Sequence, residues 1–250
     1  FDSVTKTVSL TKENVTCDVK MQKTPVYDPN FKFEKETSKA VIYGENGNVF
    51  QNEAETTSTE QTQITYKIIS EKNADGEDAD VADIDAESGE ITIKKAGTIK
   101  VQAEKKADLY YDGVTAEYTL NILKGSQKPL LFTEVSPEIT WNENSNQYTP
   151  SVEGGSGDGE VSYQIQKQTD LDGNESDEIA NIDETTGIIT WKTTGIVTVK
   201  AIKSEDDCYN EIETTCTVTM KRAKQNIKFS EKTISLVYGM KEFQQEAKED

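Results

Sequence analysis

Ile179-Ala-Asn-Ile-Asp-Glu-Thr-Thr-Gly-Ile-Ile-Thr-Trp-Lys-Thr-Thr-Gly-Ile-Val-Thr-Val-Lys-Ala201 restates an earlier stretch, Val81-Ala-Asp-Ile-Asp-Ala-Glu-Ser-Gly-Glu-Ile-Thr-Ile-Lys-Lys-Ala-Gly-Thr-Ile-Lys-Val-Gln-Ala103. Ile84-Asp85 becomes Ile182-Asp183, Gly89 becomes Gly187, Gly97 becomes Gly195, and Tyr111 just beyond becomes Tyr209, each pair offset by 98 (187 − 89 = 98). Solenoid units run to ~20–50 residues, so this period is too long for one. It is the length of a small domain with its own core. The chain reads as a tandem array of such domains.

Working outward, two whole copies span 25–125 and 126–223. Residues 1–24 read as the tail of a preceding copy, because Cys17-Asp-Val-Lys-Met21 lines up with Cys216-Thr-Val-Thr-Met220. Residues 224–250 read as the start of a further copy, since Leu236-Val-Tyr-Gly239 echoes Val41-Ile-Tyr-Gly44. On this reading the two ends are cut points rather than natural termini. The linkers, Lys124-Gly-Ser-Gln127 and Arg222-Ala-Lys-Gln225, are short and leave little slack.

Within the second copy, short apolar-alternating runs carry the period of half-buried strands. They fall at 130–132, 139–141, 148–152, 161–166, 179–182, 188–191, 196–201 and 215–220, with turn residues between them. No stretch carries a helical period. This predicts an all-β fold of tandem immunoglobulin-like β-sandwiches, Greek key, with about seven strands each. The recurring Asp-x-x-Thr/Ser-Gly at 85–89 and 183–187 is expected to be a turn. Its Asp would accept backbone N–H bonds and its Gly would take a positive φ. Gly97 and Gly195 are expected to do the same in the next hairpin.

Composition narrows function. Against 27 basic residues stand 46 acidic ones, a formal charge of −19. Nucleic acid is therefore excluded as a partner, and direct membrane binding is disfavoured. No histidine occurs anywhere, which removes the commonest general base and zinc ligand. No carboxylate pair stands out from the acidic loops, so the chain is expected not to be an enzyme.

Two groups of residues are site candidates. In Asp170-Leu-Asp-Gly-Asn-Glu-Ser-Asp-Glu178, oxygen-bearing side chains alternate around a glycine bend. Asp170, Asp172, Asn174 and Asp177 are thus a candidate weak calcium site, with a solvated acidic loop as the competing reading. The matching insert, Asp75-Gly-Glu-Asp-Ala-Asp80, is acidic but differently arranged, and no other cofactor is expected. Cys208 and Cys216 occupy the slots of Tyr110 and Tyr118, so a cross-strand disulfide is one reading and two buried thiols the other. Cys17 has no evident mate. Trp141 and Trp191 suit a core better than a sugar platform, because the matching positions hold Tyr43 and Ile93. Tyr110, Tyr111 and Tyr209 lie near a turn, where a ligand or a neighbouring domain would meet them.

The quoted stretches, with Asp207-Cys-Tyr-Asn210 and the Gly-Gly-Ser-Gly at 154–157, resemble the tandem bacterial Ig-like repeats of surface proteins, the group-2-type and cadherin-like set. Copy one departs from the pattern by carrying Thr56-Thr-Ser-Thr-Glu-Gln61 in place of the glycine run. The resemblance implies an extracellular, cell-surface or secreted module, non-catalytic, acting as stalk, spacer or adhesin segment. Its implied partners are neighbouring Ig-like repeats in the same chain, with a glycan or host surface protein as ligand. The alternatives are a dedicated ligand-binding module or an accessory module of an extracellular carbohydrate-active enzyme.

Overall fold

The computed structural model describes residues 26–35, 40–58, 62–142, 145–229, 233–239, 242, 244 and 247–249. The leading stretch 1–24, with Cys17, lies outside the described residues. The chain forms two compact units. One runs to Gly125 and includes Asp207–Tyr209; the other holds Ser126–Asp206 and the residues from Asn210 onward.

The first unit has a four-stranded sheet in the order Val41–Ile42, Val114–Leu123, Gly97–Lys105, Ile64–Asn73. A three-stranded sheet, Val49–Gln51, Glu90–Ile93, Ala82–Ile84, and a pair, Lys32–Phe33 with Ala54–Glu55, complete it. The second unit repeats the plan. Its four-stranded sheet runs Glu138–Thr140, Ile212–Lys221, Gly195–Lys203, Val161–Thr169. The three-stranded sheet runs Gln147–Tyr148, Ile189–Trp191, Ala180–Ile182, and Leu130–Phe132 pairs with Val152–Gly154. Even the irregularities recur. Each unit opens its larger sheet with a parallel pair, Val41 on Ile122 and Ile139 on Met220, and each has a bulge, at 68–70 and at 165–167. The described residues of the two units form tandem Ig-type β-sandwiches.

Period-two patterning decides which face is buried. Ile99, Val101 and Ala103 are fully buried while their neighbours are half-exposed, and Val197, Val199 and Ala201 repeat this in the second unit. Removing each of these isoleucine and valine side chains from water stabilises the fold by about 1.5–3 kcal/mol. The two cores differ by an exchange of residues. The first packs Tyr118 with Ile93, whereas the second packs Cys216 with Trp191 at the matching places. Trp191 is therefore core, and Trp141 packs half-buried against the same cluster.

Two expectations need correction. The run 148–152 is not one strand: Tyr148 pairs with Ile189, and Val152 pairs with Phe132 in a different sheet. Pro150 lies between them and, having no N–H to donate, marks the crossing. Gly195 is not at positive φ. What it shares with Gly97 is close backbone approach: an added Cβ would stand 2.5 Å from the Thr169 carbonyl oxygen, and at Gly97 2.2 Å from that of Lys72.

Candidate functional site

The repeated polar residues serve the fold. Asp183 Oδ1 accepts hydrogen bonds from Thr185 N (3.1 Å), Thr186 N (2.7 Å) and Thr186 Oγ1 (2.8 Å). Asp85 does the same with Glu87 N (3.0 Å), Ser88 N (2.7 Å) and Ser88 Oγ (2.9 Å). The amides of Thr186 and Ser88 head the contacts that hold these two carboxyls below the usual carboxylate range. Gly89 and Gly187 sit at φ +74° and +72° under the rings of Tyr66 and Tyr163, which an added Cβ would meet at 3.0 and 3.1 Å. The aspartates and glycines of the recurring motif are turn chemistry, as the sequence predicts.

The acidic inserts are also built as turns. Asp170 accepts hydrogen bonds from Asp172 N (2.9 Å), Asn174 N (2.8 Å) and Asn174 Nδ2 (2.8 Å). In the first unit Asn73 Oδ1 accepts from Asp75 N (3.0 Å) and Glu77 N (2.9 Å), while Asn73 Nδ2 lies 3.4 Å from Glu77 Oε2. Gly76 and Gly173 bend both turns at φ +83° and +92°. The inserts therefore share one design, with acid and amide exchanging ends, at an offset of 97 rather than 98 (170 − 73 = 97). That corrects the expectation that they are differently arranged. Among the described residues, no three His, Cys, Asp or Glu side chains converge on one point. Asp172 and Asp177 are exposed.

The two cysteines have different surroundings and are not joined in a disulfide. Cys216 lies in the core opposite Val199, where burial pushes its thiol up to about 11. Cys208 belongs to the first unit, outside any strand, with Sγ 3.5 Å from the Lys94 carbonyl oxygen. The slots that suggested a pairing are not neighbours either. Tyr118 is buried in a strand, and Tyr110 is an exposed loop residue.

The most distinctive surface belongs to the first unit, at the loop joining Gly97–Lys105 to Val114–Leu123. Leu109 is 82% exposed and Tyr110 62%, and nearby Val26 and Tyr27 are 50% and 55% exposed. Such a cluster costs solubility unless something covers it or binds it. It is also rigidly braced. Asp108 is nearly fully buried; its carboxylate takes Ser58 Oγ (2.5 Å), Lys105 Nζ (3.0 Å), and the amides of Tyr110 (2.8 Å) and Tyr111 (2.7 Å). Those donors, the Ser58 hydroxyl foremost, hold its carboxyl well below the usual range.

Asp112 and Val26 exchange two hydrogen bonds of 2.8 Å, which fastens Val26 and Tyr27 to the loop. Beneath, buried Asp28 collects Thr56 Oγ1 (2.7 Å), Thr57 N (2.8 Å), Thr57 Oγ1 (2.6 Å) and Asn30 N (3.0 Å). Burial alone would raise the Asp28 carboxyl, and these bonds hold it well below its usual range. Beside the loop lies a cleft of about 450 Å³ lined by Tyr27, Glu104, Lys105, Gly113, Val114 and Thr115.

The second unit builds its corresponding region differently. Buried Gln127 donates through Nε2 to the Asn210 carbonyl (2.8 Å) and accepts from Ser156 N (3.0 Å). Gly154 and Gly155, at φ +95° and +73°, let the chain pass close to Pro129 and Lys203. This explains the departure noted in the sequence. Thr56, Thr57 and Ser58 supply hydroxyls to two buried carboxylates, where the glycine run supplies backbone freedom around an amide. Thr59, Glu60 and Gln61 lie outside the described residues.

Sequence reasoning placed Tyr110, Tyr111 and Tyr209 near a turn, and the first two belong to this loop. Tyr110 is exposed and Tyr111 half-buried, and the Tyr209 ring stands edge-on to Tyr43 at 5.3 Å. It missed Val26, Tyr27, Leu109 and the buried pair Lys105–Asp108. One signal was available, since Lys105 and Asp108 recur as Lys203 and Asp206 at the same offset of 98 (203 − 105 = 98).

No protein-family model matches the sequence, and no curated protein matches it either. Among solved structures, the chain is similar to cadherin ectodomains. With Drosophila N-cadherin EC1-4 it shares 16% identity at a TM-score of 0.31, over 90% of this chain and 60% of that one. With the human desmocollin-1 ectodomain the values are 15% and 0.35, over 84% of this chain and 41% of that one. With human protocadherin-24 EC1-2 they are 15% and 0.33, over 79% and 100%. The chain thus spans less than two thirds of the first two ectodomains.

Proposed function

We propose that the chain is a non-catalytic, extracellular repeat module of a bacterial surface protein, serving as stalk, spacer or adhesin segment. The observation that carries this is the double construction of one sandwich in which the repeated polar residues close turns. A catalytic or metal-holding constellation repeated in a tandem array would show convergent side chains; here Asp85, Asp183 and Asn73 face their own loop amides. The charge of −19 keeps such modules soluble and repels polyanions. Neighbouring repeats in the same chain are the proposed partners.

The experiment is surface accessibility on intact source cells, read by a non-permeant amine label. Labelled lysines in the chain before lysis support the module's place outside the cell, and a chain labelled only after lysis contradicts it. A second reading has a specific observation in its favour. The braced apolar tip of Val26, Tyr27, Leu109 and Tyr110 suits a ligand-binding role, with a glycan or a host surface protein as the ligand.

A further inference from the structure

The turn at 170–174 carries a pattern that its fold role does not require. Asn174-Glu175-Ser176 is an N-x-S triplet, one of two N-x-S/T triplets in the chain; the other, Asn14-Val15-Thr16, lies outside the described residues. Such a triplet on a surface loop of an exported protein is the acceptor sequence for N-linked glycan. We propose that Asn174 is an N-glycosylation site, an inference resting on the extracellular reading above.

Three features support this assignment. The first is access. Asn174 and Glu175 are exposed, so the Asn174 side chain can be reached from solvent. The second is that the fold is indifferent to which residue stands at this end of the turn. In the first unit the same turn is closed by Asn73 at its start and Glu77 at its end, with Asn73 N on the Glu77 carbonyl at 2.8 Å. In the second, Asp170 stands at the start and Asn174 at the end, with the matching bond at 2.9 Å. Either order of acid and amide closes it, but only the second puts an asparagine two residues ahead of a serine.

The third is compatibility with the modified state. Asn174 Nδ2 donates one hydrogen bond, to Asp170 Oδ2 at 2.8 Å. A glycosylated amide keeps one N–H, so the turn can retain that bond with the sugar directed outward. In the transfer, Asn174 Nδ2 bonds to the anomeric carbon of a lipid-diphosphate-linked oligosaccharide. The anomeric carbon–oxygen bond breaks, the lipid diphosphate leaves with the electron pair, and one Nδ2 proton passes to a base on the transferase.

The test places the chain behind a cleavable secretory leader, in cells whose export pathway carries an N-glycosyltransferase, with Asn14→Gln in every variant. The secreted protein is digested with trypsin, and the peptide Gln168–Lys192 is weighed before and after an amide-cleaving N-glycosidase. The expected result is a glycan-bearing peptide that the enzyme converts to one with Asp at position 174. Asp170→Asn/Asn174→Glu, which borrows the first unit's closure and keeps the melting temperature, and Ser176→Ala both abolish the glycan, while Ser176→Thr keeps it. A secreted chain with bare Asn174, in cells that fill a co-expressed acceptor protein, overturns the proposal. Export is imposed by the leader, so that failure would not count against the extracellular reading, which surface labelling decides independently.

Discussion

At the scale of single residues, the Asp-x-x-Thr/Ser-Gly turn couples a carboxylate, a left-handed glycine and a tyrosine ring. Gly187→Ala would place a Cβ at φ +72° and 3.1 Å from the Tyr163 ring, so both strain and contact oppose it. Its expected cost is about 1–3 kcal/mol, read as a lower midpoint in denaturant. The partner prediction concerns pH. Asp183 has its folded-state pKa lowered by the turn amides, so its stabilisation is complete above the unfolded value near ~3.9. It is lost as pH falls through the lower folded value. Asp183→Ala should therefore melt below the parent at neutral pH, with the gap narrowing toward strong acid; a constant gap would show that the charge contributes nothing. This turn was legible in the sequence because its chemistry is local. The role of Gly195 was not, because the Thr169 carbonyl that excludes a Cβ comes from a strand distant in sequence.

At the scale of elements, the repeated strands were readable from their period of two, since one face of each meets the core and the other water. The break at Pro150 was not, because a change of sheet leaves the alternation on both sides intact. The acidic inserts misled for a different reason. One extra residue lies between the Asp170–Asn174 turn and Ile182, so the offset shifts from 97 to 98 and hides the match with Asn73–Glu77. Once aligned, the neutral Asn73 does for its turn what Asp170 does for the other, and loop closure accounts for both. The expected outcome is a melting temperature equal in millimolar calcium and in chelator. A calcium-dependent rise would support the reading of Asp170, Asp172, Asn174 and Asp177 as a weak site, because a ligand bound only by the folded state raises its stability.

At the scale of the whole molecule, the two sandwiches repeat one plan down to their bulges and their parallel openings. The repeat made that organisation visible in sequence. The braced tip was legible only in part, since Leu109 and Tyr110 have no apolar counterparts in Asp207 and Cys208 of the second copy, and a repeat argument finds only what recurs. The most direct measurement is saturation binding of residues 24–224 to a panel of glycans and extracellular matrix proteins, with the Leu109→Ala/Tyr110→Ala double variant alongside. The account predicts that any saturable binding is lost in that variant at unchanged melting temperature, and that no substrate in the panel is turned over. Binding that survives the variant, or turnover of a glycan, would contradict it.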